Sequence, residues 1–414
     1  MRPVQNYINK LKLRASYGLA GNDRFYNDDG SQKRFAYITT IGTTDGYKWG
    51  NSNAFYDKGG LREGDPGVES LTWETVKKAN VGIELGLFKM AELQVDFFHE
   101  RREDIFMQRK NIPSSAGFPS APWANYGIVT NKGFDISLDL NKQINKDWFI
   151  SARASVTYAK NKIIEQDEDL GVLGTYRSST GKPVGQIFGL VNDGLYTEAD
   201  FEDVTTGKLK PGLPVPKFSD RVYPGDIKYL DLNGDNEITE TDKTAIGGTV
   251  NPELVYGFGI NLSYKNIDFG AFFQGNGRTY RIIGENQKNF LPGSTIGAEG
   301  NIFTNASDAW TVDNPSQDVF YPRLHMGYNA NNAQVSDWWL KDMSMLRLKN
   351  VELGYSFSKK LIKKAAMEYA RIFVRGTNLL QFSKFDLWDP ELNTSNGLKY
   401  PIMATYSIGL QVRF

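Results

Sequence analysis

Cysteine is absent from the 414 residues, which excludes a disulfide framework, a thiolate metal centre and a cysteine nucleophile. Histidine is nearly so. His99 and His325 are the only two, and they leave little for metal binding or acid–base catalysis. Neither sign of charge predominates, with 48 basic against 48 acidic residues, so no electrostatic footprint favours nucleic acid. No stretch approaches the roughly 18 consecutive apolar residues of a membrane helix, which excludes a helical membrane protein. Met1 to Lys10 shows no basic segment followed by an apolar one, so no signal peptide is visible. The chain is therefore expected to be either cytosolic or a piece of something longer.

Aromatic residues and strict alternation are abundant. Aromatics make up 13% of the chain, beside 41 glycines. In Phe134–Leu140 every apolar residue falls on one face and every polar residue on the other, the period of a half-buried strand. The pattern recurs in Ala79–Leu85, Leu93–Phe97, Ile150–Tyr158, Leu254–Tyr264, Ile267–Phe273 and, most cleanly, Ile402–Phe414. Leu11–Tyr17 alternates over a shorter span, and Arg371–Leu380 is the least regular of ten predicted strands. Between Leu346 and Ser356 the phase slips, with Leu346 and Leu348 on the opposite parity from Val351, Leu353 and Tyr355, which predicts a β-bulge. The polar face carries Gly, Ser, Thr, Asn and charge, smaller and more polar than a packed sandwich core supplies.

The connections alternate in length. Residues 19–76, 105–131, 161–251, 279–342 and 382–401 are long; 89–91, 142–147, 265–266 and 357–369 are short. A transmembrane β-barrel has short periplasmic turns and longer outer loops, and its strands need about 9–11 residues to cross at a tilt. If the last strand descends to the periplasm, every short connection falls inside and every long one outside. A soluble antiparallel sheet also alternates, but its loops are usually short. The reading is all-β: an antiparallel transmembrane β-barrel segment with long outer loops, in outer-membrane lipid.

Several segments, in order and spacing, resemble the SusC/RagA group of TonB-dependent outer-membrane transporters. These are Leu11–Asn22, Leu71–Glu74 with Asn80–Phe88, Asn131–Phe134, Asp226–Asp235, Leu346–Asn350 with Leu353–Tyr355, Asn378–Leu380, Asp389–Glu391 and Tyr406–Phe414. The resemblance covers nearly the whole chain. It implies that residues 1–414 are the C-terminal part of a barrel of about 22 strands with a plug in its lumen. The signal peptide, N-terminal extension, TonB box, plug and earlier strands of that family would lie outside these residues. It further implies import of oligosaccharides or peptides, a SusD-like surface lipoprotein as lid and TonB acting through the missing N-terminal part. The closing Phe414 resembles the terminal aromatic signal read by the barrel assembly machinery.

Residues 231–242, within the long loop 161–251, carry the most chemistry. Oxygen ligands at positions 1, 3, 5, 7, 9 and 12 are the spacing by which a loop wraps one calcium ion. Asp231, Asn233 and Asp235 offer side-chain oxygens, Glu237 its backbone carbonyl, Thr239 a water-mediated contact and Asp242 the closing carboxylate. Two positions depart from the EF-hand rule. Asn236 replaces the usual Gly, which Asn tolerates because it adopts left-handed backbone, and Asp242 replaces the longer Glu, as in dockerin-type loops. The competing reading is an acidic turn held by Asx hydrogen bonds. Calcium, if bound, is structural.

Trp123, Trp310 and Trp388, like Trp49, Trp338 and Trp339, lie in or beside the long loops. They would stack on a sugar, touch a lipoprotein, pin loops together or sit in the membrane-interface girdle, the last favoured for Trp338–Trp339 just before a strand. His99–Arg102 reads as a rim of solvated charge. Glycine runs lack the lysine of a phosphate loop, which rejects nucleotide binding. The expectation is an importer segment with no enzymatic activity. The alternatives are a passive barrel or adhesin with calcium-stabilised ligand-binding loops, and a secreted glycan hydrolase. The hydrolase needs a converging carboxylate pair, and the sequence nominates none.

Overall fold

In the computed structural model the described residues are 7–26, 29–51, 54–118, 120–284, 304–363 and 366–414. One antiparallel sheet of ten strands dominates: β1 (Ile8–Asn22), β2 (Glu74–Leu87), β3 (Ala91–Gln108), β4 (Trp123–Gln143), β5 (Trp148–Glu165), β6 (Leu254–Tyr264), β7 (Ile267–Gly277), β8 (Met345–Ser356), β9 (Tyr369–Ser383) and β10 (Thr405–Arg413). Each strand pairs with the next in chain order. All ten predicted strands are present, including Arg371–Leu380, which lies inside β9. Among the described residues β1 and β10 do not pair with each other, so the ten strands do not close alone.

Register turns the alternation of each strand into two continuous faces. Leu13, Ile83, Val95, Ile136, Val156 and Tyr256 are successive partners across β1 to β6. Ile260, Ala271, Val351, Gly376 and Tyr406 continue the same face to β10. Much of this apolar face is bare: Leu13 is 73% exposed, Val81 59%, Leu353 53% and Ile408 77%. A soluble protein rarely leaves an apolar patch of that extent open; a lipid-facing sheet requires it. Trp148 and Tyr264, partners beside two of the short turns, stack at 4.5 Å in the interface position aromatics prefer.

The phase slip in β8 has a single cause. Phe272 and Phe273 of β7 oppose Asn350 and Leu348, leaving Lys349 unpaired as a bulge, and β9 skips the same residue. Several strands outrun the membrane. At about 3.3 Å per residue the 21 residues of β4 reach about 70 Å, more than twice the hydrocarbon thickness. The excess lies toward the long-loop end, where the outer segments pack.

Those segments hold the buried apolar core. Leu190, Leu195, Ile227, Tyr229, Ile246, Ile283, Trp310, Tyr321 and Trp339 cluster with Met343 and Phe385. The cluster thus joins the connections 166–253, 278–344 and 384–404. Trp339 is fully buried there, which corrects the expectation of a girdle position: the chain turns inward before β8, and the ring packs on Phe320 and Tyr321. A smaller cluster of Phe25, Ala36, Val68 and Phe106 ties connection 23–73 to β3.

The two faces make a testable distinction. Ile260→Arg on the lipid face should destabilise the folded protein in lipid by about 2–4 kcal/mol, the cost of a midplane cation. Asn261→Arg on the opposite face should change stability by well under 1 kcal/mol. Guanidinium unfolding in phospholipid vesicles measures both, and equal effects would mean the faces are misassigned.

Candidate functional site

The inner face of the sheet is polar and charged, and its charges are paired across strands. Lys10, Lys12 and Arg14 of β1 surround Glu84 of β2 at 3.2–3.3 Å, and Arg14 also reaches Asp96 of β3 at 2.7 Å. Asp139 meets Arg153 at 2.5 Å. Arg371 of β9 bonds Asp268 of β7 and Glu352 of β8, and Arg375 holds the other oxygen of Glu352. Near the short-turn end these groups border a hollow of about 830 Å³ whose wall includes Asp139, Arg153, Asn261, Asp268, Glu352 and Arg375. The rim segment behaves as expected: Glu100 pairs with Lys78, Arg101 with Glu103 and Arg102 with Glu74.

Outside the sheet, buried polar groups join the long loops. Asp226 is fully buried. One of its oxygens lies 2.5 Å from His325 Nε2 and accepts from Asn332 Nδ2 at 2.8 Å and Asn329 Nδ2 at 3.3 Å, while the other accepts the Tyr223 amide at 2.9 Å. Asn332 Oδ1 accepts the Ile227 amide, and Tyr229 donates its hydroxyl to the Asn331 carbonyl. Burial pushes the Tyr229 hydroxyl far up, so it remains a donor. Arg347, 3% exposed at the start of β8, grips both oxygens of Asp389 at 2.5 and 2.6 Å, and its Nε sits 3.0 Å from Glu391. The Asp389–Glu391 segment is thereby clamped to the sheet.

A second acidic pair fixes the loops after β3 and β5. Asp167 accepts from Arg109 Nε at 2.7 Å, the Lys110 amide at 2.7 Å and Asn111 Nδ2 at 2.9 Å. Glu168 accepts from the Ser178 and Ser179 hydroxyls at 2.6 and 2.7 Å and from the Ser179 amide. Burial pushes both carboxyls up, but these donors outweigh it and hold each at about 2.

The loop 231–242 is held by Asx-type hydrogen bonds. Asp231 accepts the amides of Gly234 and Asn236 at 2.7 and 2.8 Å, Asn233 that of Asp235, and Asp235 that of Glu237. Asn236 takes φ +63°, the left-handed conformation expected of it. Asp242 is fully buried and accepts the amides of Leu232 and Thr239 at 3.0 and 2.8 Å. Glu237 turns its carboxylate to Lys217 at 2.9 Å, away from the loop centre. Burial opposes ionisation of Asp231, but the Gly234 and Asn236 amides hold its carboxyl below the usual range. Among the described residues no three acidic or histidine side chains converge as a metal-holding group. Asp242 Oδ1 accepts a second amide, from Asn233 at 3.4 Å, whereas the amide-capped oxygens of Asp231, Asn233 and Asp235 each accept one and keep a second lone pair.

The tryptophans nominated for ligand contact are packing residues. Trp310 is 5% exposed inside the loop core, with Gly225 against its ring, which overturns a contact role: the indole has no free face. Trp123 stacks on Phe106 at 5.2 Å beneath Lys33, and Trp388 packs edge-on against Phe385 and covers Gly397. Phe414 follows β10 and is 81% exposed.

Comparison with known proteins fits this geometry. No family model matches the chain. A TonB-dependent receptor of Formosa agariphila is 29% identical over 99% of the chain and 40% of the relative. TonB-dependent receptor SusC of Bacteroides thetaiotaomicron is 22% identical over 99% of the chain and 38% of the relative. The structure of the RagAB peptide importer in its open-open state superposes with a TM-score of 0.70 at 24% identity, covering 99% of this chain and 40% of that one.

The chain is a relative of the TonB-dependent receptors. It spans about 40% of the length of the relatives it matches. In fold, the ten-stranded antiparallel sheet corresponds to part of a larger outer-membrane β-barrel, and the relatives it matches are receptors, not enzymes. Asp226, His325, Asn329, Asn332 and the Arg347–Asp389 clamp escaped sequence reasoning. The resembling segments Asp226–Asp235, Leu346–Asn350 and Asp389–Glu391 contained three of these residues without showing what they bind.

Since Asp167 is held below its unfolded value near 4, its stabilisation is complete above about pH 4 and is lost as pH falls through about 2. An acid titration followed by the fluorescence of Trp123, with a Trp123→Phe subtraction, should show a loop transition between those values. Asp167→Asn should abolish it. A transition centred above pH 5 would assign the change to other groups.

Proposed function

We propose that the chain forms lumen wall and outer loops of an energised outer-membrane importer of oligosaccharides or peptides. The observation that carries this reading is the match over 99% of the chain to TonB-dependent receptors, by a sheet whose first and last strands do not pair with each other among the described residues. One relative is named SusC and another belongs to a peptide importer, which supports a SusD-like lipoprotein over the outer loops. TonB acts through parts of the receptor beyond this stretch, and the inner wall contributes passage and contact, making and breaking no bond. The exposed terminal aromatic, Phe414, supports recognition by the barrel assembly machinery.

The test is uptake in the native host of fluorescent oligopeptides and oligosaccharides of porin-excluded size. Uptake of one class should fall at least tenfold on deleting the receptor gene and equally on deleting TonB. Uptake that needs the receptor but persists without TonB would instead identify a passive barrel.

Calcium belongs to the same proposal, as a brace for residues 231–242. Asp231, Asn233, Asp235 and Asp242 would hold it, with the Glu237 carbonyl and a water at Thr239. Titration calorimetry on the purified receptor should find one calcium per chain with Kd on the order of 10⁻⁴–10⁻³ M, the range of extracellular modules. Asp231→Ala should remove the heat. A signal unchanged in that variant, or absent from the parent, leaves an ion-free Asx turn.

A further inference from the structure

The inner wall is not uniform along its length. Near the short turns it is lined by the paired charges described above, but at its outer end it encloses a cavity of about 590 Å³ with a different surface. Val76 of β2, Ile105 and Met107 of β3, Val129 of β4 and Ile163 of β5 line it, joined by Val184 from the following loop. A bulge produces part of this lining. Between Arg102 and Ile105 the pairing of β3 with β4 shifts, and Asp104 adopts φ +57°. The extra residue carries Ile105 to the inner face opposite Gly127, where the absent side chain leaves room between Ile105 and Met107. Bulges re-aim side chains in this way beside functional sites.

From this chemistry we infer that the cavity is a binding subsite for an aliphatic side chain of a peptide, not for a sugar. The inference rests on the importer reading and names its substrate class. Its size falls within the range of small-ligand pockets. Three of the four charges at its rim are paired inside the protein: Glu100 with Lys78 at 3.0 Å, Arg102 with Glu74 at 3.4 Å and Glu253 with Arg278 at 3.1 Å; the fourth, Glu165, bonds the Tyr126 hydroxyl. An anionic ligand therefore gains little there. A sugar brings many hydroxyls, and each one desolvated against Val, Ile and Met without a partner costs free energy. Among the described residues no aromatic ring lines the cavity to stack on a pyranose face. A Leu- or Val-sized side chain, by contrast, gains by burial in it. Asn131 and Asn161, partners across β4 and β5, stand on the same wall; Asn161 Oδ1 accepts the Val184 amide at 2.6 Å, and its Nδ2 together with the Asn131 amide match the acceptors and donors of a peptide backbone.

The experiment uses the complete receptor carrying this chain, purified in detergent. Calorimetry compares end-blocked tetrapeptides that differ only in a central Leu or Ser, and a linear tetrasaccharide. The Leu peptide should bind about tenfold more tightly than the Ser peptide. Ile105→Asn and Val129→Asn should erase that preference, while Val129→Leu keeps it; heat-modifiable migration on a gel verifies that each variant is a folded barrel. Equal binding of the two peptides, or a preference untouched by both Asn substitutions, overturns the subsite. Binding of the tetrasaccharide alone overturns the peptide class while leaving the importer reading intact, and binding of no probe overturns the subsite as well. Failure of the importer reading shows separately, as loss of TonB dependence in uptake.

Discussion

Backbone hydrogen bonding in a medium without water governs this molecule. Lipid offers no partner to a free N–H or C=O, and each one left unpaired costs several kcal/mol. The ten strands answer by lateral pairing, every neighbour in register with the next. Once register is fixed, the period of two assigns each side chain to one face, so the same ladder that satisfies the backbone also produces an apolar band outside and a polar wall inside. Among the described residues the ladder ends at β1 and β10, whose outer edges have no neighbouring strand. Such edges are incompatible with hydrocarbon, and the relatives, more than twice as long, contain the residues that a closed barrel requires.

The outer loops obey a different constraint. They have no lipid to shelter them and only two-stranded ladders of their own, such as Ile41–Asn51 with Ala54–Glu63, so they build a separate core. Its apolar part surrounds Trp339 and Tyr321, and its polar part surrounds Asp226. A carboxylate so completely buried is tolerated because four donors converge on it. Shared among residues 223, 325, 329 and 332, these bonds make the arrangement a geometric lock between two connections far apart in sequence. Arg347 does the same between sheet and loop, with one terminal nitrogen against both oxygens of Asp389 and its Nε against Glu391.

The sheet was legible because alternation is a local property. Phe134–Leu140 and Ile402–Phe414 declare their faces without reference to any partner, and even the bulge at Lys349 left a trace as a slip of parity between Leu348 and Val351. The left-handed Asn236 was legible for the same local reason. The loop core was not. Trp310 and Trp339 carry no periodicity that separates a packed ring from an exposed one, and both were given surface roles that the packing excludes. His325 reads as an isolated residue until the fold brings it to Asp226, 99 positions away. Contacts of that separation are set by how three irregular connections fold together, and a single sequence records no such pairing.

The inner wall inherits its freedom from this division of labour. Substitutions there alter neither the lipid face nor the ladder, so its chemistry can vary along the strand without cost to assembly. Toward the short turns the variation is ionic and self-compensating: Arg371 and Arg375 neutralise Asp268 and Glu352 across three strands. Pairs of that kind attract passing charge weakly, since each sign is screened by its neighbour at contact distance. Toward the outer mouth the wall becomes apolar around Ile105 and Val129. In the proposed importer a solute entering from outside would meet the apolar surface around Ile105 and Val129 before the charged one. Selection would then precede passage, because a solute rejected at the mouth never occupies the lumen.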